Sequence, residues 1–138
     1  MAAILVVEDN QISLKLATLL LKNAGHAVFQ ARDGEAAISI VRAEMPDLIL
    51  MDVQMSGMDG LTATRLLKKN PATSSIPIIA LTAFAMRGDE QKILSAGCDD
   101  YIAKPFHYPD FLAKVSNILG RNQATQQQST AGITPLTE

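Results

Sequence analysis

The chain has 138 residues, enough for one domain with a proper core, and its 48% hydrophobic and 19% charged content is ordinary for a globular protein. A formal net charge of −2 gives no electrostatic case for nucleic acid as a partner, which would need a basic patch. The single cysteine, Cys98, excludes an internal disulfide and a cysteine zinc cluster.

The elements follow in order. Ile4-Leu5-Val6-Val7 reads as a first buried strand, ending on Glu8-Asp9. That run meets carboxylates too soon for a signal peptide and has no basic segment before it. No apolar run reaches membrane-spanning length, so the expectation is a cytoplasmic protein without a membrane segment. Asn10 caps a first helix whose apolar residues recur at Ile12, Leu16, Leu19 and Leu20, with Gly25 as its stop. Residues 27–31 form a second strand. Asp33 caps a second helix with Ala37, Ile40 and Val41 on one face, closed by Met45-Pro46.

Leu48-Ile49-Leu50-Met51-Asp52 is the central stretch: a short apolar run, as expected of a strand buried on both faces, ending on a carboxylate. A glycine-containing loop follows, and Asp59 caps a third helix with Ala63, Leu66 and Leu67 facing inward. The fourth strand ends on Thr82, with Pro77 at its start, where no ladder donor is needed. A fourth helix spans 86–96, with Gly97 as its cap. Residues 100–103 form a short fifth strand that ends on Lys104-Pro105. A fifth helix from about Pro109 carries Phe111, Leu112, Val115, Ile118 and Leu119, and Gly120 ends it. Residues 121–138 lack an apolar period and are expected to be a flexible tail.

Strand and helix alternate five times, which implies an α/β fold with a parallel sheet covered on both faces. In such a sheet the carboxyl ends of all strands lie on one edge, where ligands bind. Glu8-Asp9, Asp52, Thr82 and Lys104 all stand at such ends. Carboxylates gathered there repel one another and need a cation; oxygen donors without His or Cys favour a hard ion, Mg²⁺ or Mn²⁺. A hydroxyl, an ammonium and a divalent ion around one carboxylate suit a phosphoryl group, and a carboxylate can be the nucleophile.

These pieces resemble the receiver domains of two-component response regulators. The matching segments are residues 7–10, 50–55, 58–60, 81–83 and 101–106, and the resemblance spans about 4–120. The run Thr82-Ala83-Phe84-Ala85-Met86-Arg87-Gly88-Asp89-Glu90 is most similar to single-domain regulators of the DivK type, or to receivers fused to hybrid kinases. The resemblance implies a flavodoxin-like sheet of order 2-1-3-4-5, with 1–120 as the receiver domain and 121–138 as the tail. It implies that Asp52 is the phosphoacceptor. Glu8, Asp9, Asp52 and the backbone carbonyl of Gln54 would hold the metal ion, and Thr82 and Lys104 would bind phosphoryl oxygens. Thr82 and Tyr101 would form the switch, and Lys104-Pro105 would be a cis peptide. The donor would be a histidine kinase or histidine phosphotransfer protein, and the output would be binding of a downstream protein. The chain would be a phosphoacceptor that assists its own phosphorylation and dephosphorylation rather than an enzyme in the usual sense. Ser56 departs from the proline that many receivers carry in the phosphorylation loop, which should leave that loop looser.

Two other readings fit less well. An Asp-nucleophile phosphatase usually has a second Asp two residues on, and here that position is Gln54. A flavodoxin-like binder would cradle phosphate after the first strand, where Glu8 and Asp9 would repel it. His26 and His107 read as loop histidines. Phe84, Met86 and Phe106 flank Thr82 and Tyr101, and are expected at the edge of the partner-binding surface.

Overall fold

The computed structural model describes the backbone of residues 2–55, 58–83, 87–104 and 108–131, and their side chains except at 87–89 and 121–131. The elements run β1 (Ala3–Val7), α1 (Gln11–Asn23), β2 (Ala27–Ala31), α2 (Gly34–Glu44), β3 (Leu48–Asp52), α3 (Gly60–Lys69), β4 (Ile78–Thr82), α4 (Arg87–Ser95), β5 (Asp100–Ala103) and α5 (Tyr108–Ala131). The strands pair in parallel in the order β2-β1-β3-β4-β5, as expected. No helix among the described residues is long and apolar enough to cross a membrane.

Side-chain alternation along each strand divides the core into two layers. Leu5 and Val7 of β1, Ile49 and Met51 of β3, and Ile78 and Ala80 of β4 join Ala37 and Val41 of α2, Ala63 and Leu67 of α3, and Ile93 of α4. Their neighbours Ile4, Val6, Leu48, Leu50, Ile79 and Leu81 join Leu14, Ala17 and Leu21 of α1 and Phe111, Val115 and Ile118 of α5. Strands buried on both faces therefore read as unbroken apolar runs.

The predicted helix starts hold. Asn10 Oδ1 accepts the N–H groups of Ile12 and Ser13 at 3.0 Å, Asp33 Oδ1 that of Ala36 at 2.8 Å, and Asp59 Oδ1 that of Thr62 at 2.8 Å. Each cap is worth about 1 kcal/mol. Met45 closes α2 in the left-handed region at φ 46°; Pro46 disfavours a further right-handed residue there.

Three expectations are corrected. The buried face of α1 is Leu14, Ala17, Thr18 and Leu21, while Ile12, Leu16 and Leu19 are 80%, 43% and 54% exposed. Only Leu20 of the predicted set packs on the core. The helix carries two apolar stripes, and the one with small residues lets it approach the sheet closely. Thr18 can be buried because its hydroxyl donates to Leu14 O at 2.7 Å and accepts from Gln30 Nε2 at 2.9 Å. On α3, Ala63 and Leu67 face inward but Leu66 is exposed. Finally, α5 does not stop at Gly120 but runs to Ala131. A mid-helix glycine costs only about 1 kcal/mol, and the four glutamines in the stretch after it, with no further Gly or Pro before Ala131, allow the helix to continue.

Candidate functional site

Each predicted site residue comes from the end of a strand or the turn just beyond it. β1 delivers Glu8 and Asp9, β3 ends on Asp52, β4 ends on Thr82, and β5 leads into Lys104. Backbone bonds hold these ends level. Glu8 N–H donates to Ala31 O at 3.0 Å, Val53 N–H to Leu81 O at 2.9 Å, and Lys104 N–H to Thr82 O at 2.7 Å. The strands thus bring the ends that carry these five residues, far apart in sequence, to one edge of the sheet.

Carboxylate oxygens of Glu8, Asp9 and Asp52 lie within 4.8 Å of one another, a grouping that can hold a metal ion. Glu8 is fully buried and Asp52 is 4% exposed. Lys104 Nζ is in direct ion-pair contact with Glu8 Oε1 and lies 3.4 Å from Asp52 Oδ2. Among the described residues that Glu8 oxygen has no hydrogen bond of good geometry, and it faces the lysine charge. Glu8 Oε2 accepts Asn10 N–H at 3.3 Å. Asp52 Oδ1 accepts Gln54 N–H at 3.2 Å, and Arg32 Nη2 donates to the Asp9 carbonyl at 3.3 Å. A cleft of about 620 Å³ lined by Asp9, Val53, Gln54, Met55, Asp59 and Leu61 opens beside the acids.

Burial, and then the neighbouring Glu8 carboxylate, push the Asp52 carboxyl up to about 7. The Lys104 charge and the Gln54 N–H pull the other way. One lysine does not offset three gathered acids. A divalent cation would, and an all-oxygen donor set suits a hard one.

Tyr101 of β5 sits beside Ala80, two residues before the Thr82–Ala103 pair. Its hydroxyl donates to Glu90 Oε1 of α4 at 2.7 Å, and Lys114 Nζ of α5 lies 5.0 Å from the ring centroid. Lys114 also donates to Tyr101 O at 2.7 Å and pairs with Asp100 at 3.2 Å. Hydrogen bonding to Glu90, then burial, raises the Tyr101 phenol above its ordinary value. Lys114 carried no motif in the sequence and Glu90 only closed the run that resembles DivK-type regulators; the fold shows their contacts with Tyr101. Gly60 was legible as a loop glycine and as part of the matching segment 58–60, but not as a residue packed on Asp52. His26 lies at the amino end of β2, away from the site, and accepts Ala2 N–H at 3.2 Å. Ser56, Phe84, Met86, Phe106, His107 and the Lys104–Pro105 peptide fall outside the described residues.

A five-stranded parallel sheet with three acids and a lysine at its carboxyl edge is the architecture of a receiver domain. The family model of the response regulator receiver domain matches residues 4–116, and the chain belongs to that family. It is 41% identical over 118 residues to the polar-differentiation response regulator DivK of Brucella anthropi, covering 86% of this chain and 96% of that protein. Among solved structures it resembles the receiver domain of a sensor histidine kinase of Pseudomonas aeruginosa, which has a magnesium ion coordinated in its active site cleft. That match has 35% identity and TM-score 0.81, and covers 86% of this chain and 98% of the other. Chemotaxis protein CheY4 of Vibrio cholerae is similar at 25% identity and TM-score 0.82, with 86% and 98% covered. The protein is therefore a DivK-like response regulator receiver of two-component signalling.

Proposed function

We propose that the protein is a single-domain phosphorylation switch in which Asp52 takes a phosphoryl group from the phosphohistidine of a histidine kinase or phosphotransfer protein. The observation that carries this is the placement of Asp52: a nearly buried carboxylate at the end of the central strand, beside Glu8 and Asp9 and 3.4 Å from Lys104 Nζ. An Asp52 carboxylate oxygen attacks phosphorus, forming a P–O bond while the P–N bond breaks. The electron pair returns to the imidazole nitrogen, which takes a proton from water. Lys104 and the Thr82 hydroxyl meet the phosphoryl oxygens. Glu8, Asp9 and Asp52, with the Gln54 carbonyl, would hold Mg²⁺ or Mn²⁺. The ion would neutralise the charge that builds up when a phosphoryl group joins these acids.

Residues 1–120 act as the receiver and 121–138 as an appendage to it. Phosphorylation draws Thr82 toward the phosphoryl group, frees Tyr101 from Glu90, and reshapes the face of α4, β5 and α5. A downstream protein in the cytoplasm binds that face, with Phe84, Met86 and Phe106 at its edge; this placement rests on the sequence.

The test is phosphotransfer from purified histidine kinases, with wild type and Asp52→Asn side by side, in Mg²⁺ and after chelation. Label on the wild type in Mg²⁺ only, and none on Asp52→Asn, is the expected result. Full labelling of Asp52→Asn, or labelling indifferent to chelation, contradicts the proposal.

A further inference from the structure

The first turn of α3 touches the backbone that carries Asp52. A Cβ placed on Gly60 would stand 1.9 Å from the Asp52 carbonyl oxygen, 2.8 Å from its carbonyl carbon and 3.0 Å from Met51 Cγ. Two of those atoms are backbone and cannot swing aside. Gly60 N–H also donates to Val53 O at 3.2 Å, so backbone packs on backbone across the Asp52–Val53 junction. Gly60 is a buried helical residue outside the left-handed region, so its glycine is needed for space and not for backbone freedom. The turn is held from behind by Thr64, whose buried hydroxyl donates to Gly60 O at 2.8 Å.

We infer that Gly60 is a positioning residue for phosphoryl transfer: the missing side chain lets α3 close on the Asp52 peptide and fixes the direction of the Asp52 carboxylate and of the Gln54 backbone. The inference rests on Asp52 being the phosphoacceptor. Any side chain at residue 60 must push the peptide away. The displacement passes to the carboxylate and to Gln54 N–H, 3.2 Å from Asp52 Oδ1. An ångström of misplacement at a reacting group costs roughly a hundredfold in rate. Elsewhere in a helix, replacing Gly by Ala helps. Gly120 in α5 has nothing within 4 Å of its would-be Cβ and serves as the control.

The experiment measures labelling of Asp52 by acetyl phosphate across a Mg²⁺ titration, for wild type, Gly60→Ala, Gly120→Ala and Thr64→Val, normalised to folded protein by circular dichroism. Gly60→Ala is expected to lose roughly a hundredfold in maximal rate and to need more Mg²⁺ for half-saturation, while Gly120→Ala matches the wild type. Thr64→Val removes the brace without adding bulk and should move both quantities in the same direction by less; it carries the test if Gly60→Ala does not fold. Wild-type rate and Mg²⁺ dependence in folded Gly60→Ala overturn the inference. So does wild-type behaviour of Thr64→Val when Gly60→Ala is unfolded. Failure of the wild type itself to label on Asp52 overturns the phosphoacceptor reading, and this inference with it.

Discussion

Asp52 is a cost to the fold as well as its chemical centre. Burial and Glu8 raise its carboxyl from 3.8 to about 7. The folded protein therefore binds this proton more tightly than the unfolded chain, and stability falls as pH rises through that interval. In metal-free buffer at pH 8, Asp52→Asn should be more stable than wild type by on the order of 2 kcal/mol, since water and local relaxation around the partly exposed cleft screen part of the full linkage value. The gain should shrink as pH drops below 7 and vanish near pH 4, and Mg²⁺ should reduce it at pH 8. Urea unfolding of both proteins across pH checks this; equal stability at pH 8 counts against a strained carboxylate. The Tyr101 phenol gives a second residue-level expectation. Hydrogen bonding to Glu90 is the first cause of its raised pKa. Glu90→Ala should therefore lower the titration midpoint of Tyr101 in ultraviolet absorbance. An unmoved titration curve would mean that Glu90 does not hold Tyr101.

Among the elements, α1 shows where sequence periodicity misleads. Leu14, Leu16, Leu19, Leu20 and Leu21 give the helix apolar residues on more than one side, and a repeat of large residues picks out Ile12, Leu16 and Leu19. The structure buries Leu14 and Leu21 with Ala17 and Thr18 instead, because small side chains allow close approach to the sheet. Leu14→Ala should thus cost about 2–4 kcal/mol, and Leu16→Ala under about 1 kcal/mol. Denaturant midpoints of the two variants decide which face is the core, and the reverse order would restore the periodicity reading. The helix caps were legible because a cap is a local rule satisfied within three residues: Asn10, Asp33 and Asp59 each bond the turn they precede. The brace at the far end of the sheet was not. Lys68 Nζ bonds Ser74 O, Ile76 O and Asp99 Oδ2 at 3.1, 2.8 and 3.2 Å, and the same Asp99 oxygen accepts Ile78 N–H at 2.8 Å. Its partners stand up to 31 positions away, and no local pattern announces them.

At the scale of the whole molecule, the three inner strands β1, β3 and β4 leave unbroken apolar runs in the sequence that end on Glu8-Asp9, Asp52 and Thr82 at the ligand edge, and the edge strand β5 leads into Lys104. That is why Glu8, Asp9, Asp52, Thr82 and Lys104 could be named before their convergence was seen. What the runs could not show is how the edge is held. Gly60 pressing on the Asp52 carbonyl, Glu90 on the Tyr101 hydroxyl and Lys114 over its ring join elements whose contacts depend on the fold. The account as a whole depends on Asp52 becoming an acyl phosphate. The direct measurement is to phosphorylate the protein in Mg²⁺, reduce it with borohydride, and map the peptides by mass spectrometry. The account predicts homoserine at position 52 alone, appearing only when phosphodonor and metal were both present. Reduction product at Glu8, Asp9 or any other acid, with Asp52 recovered intact, would contradict it.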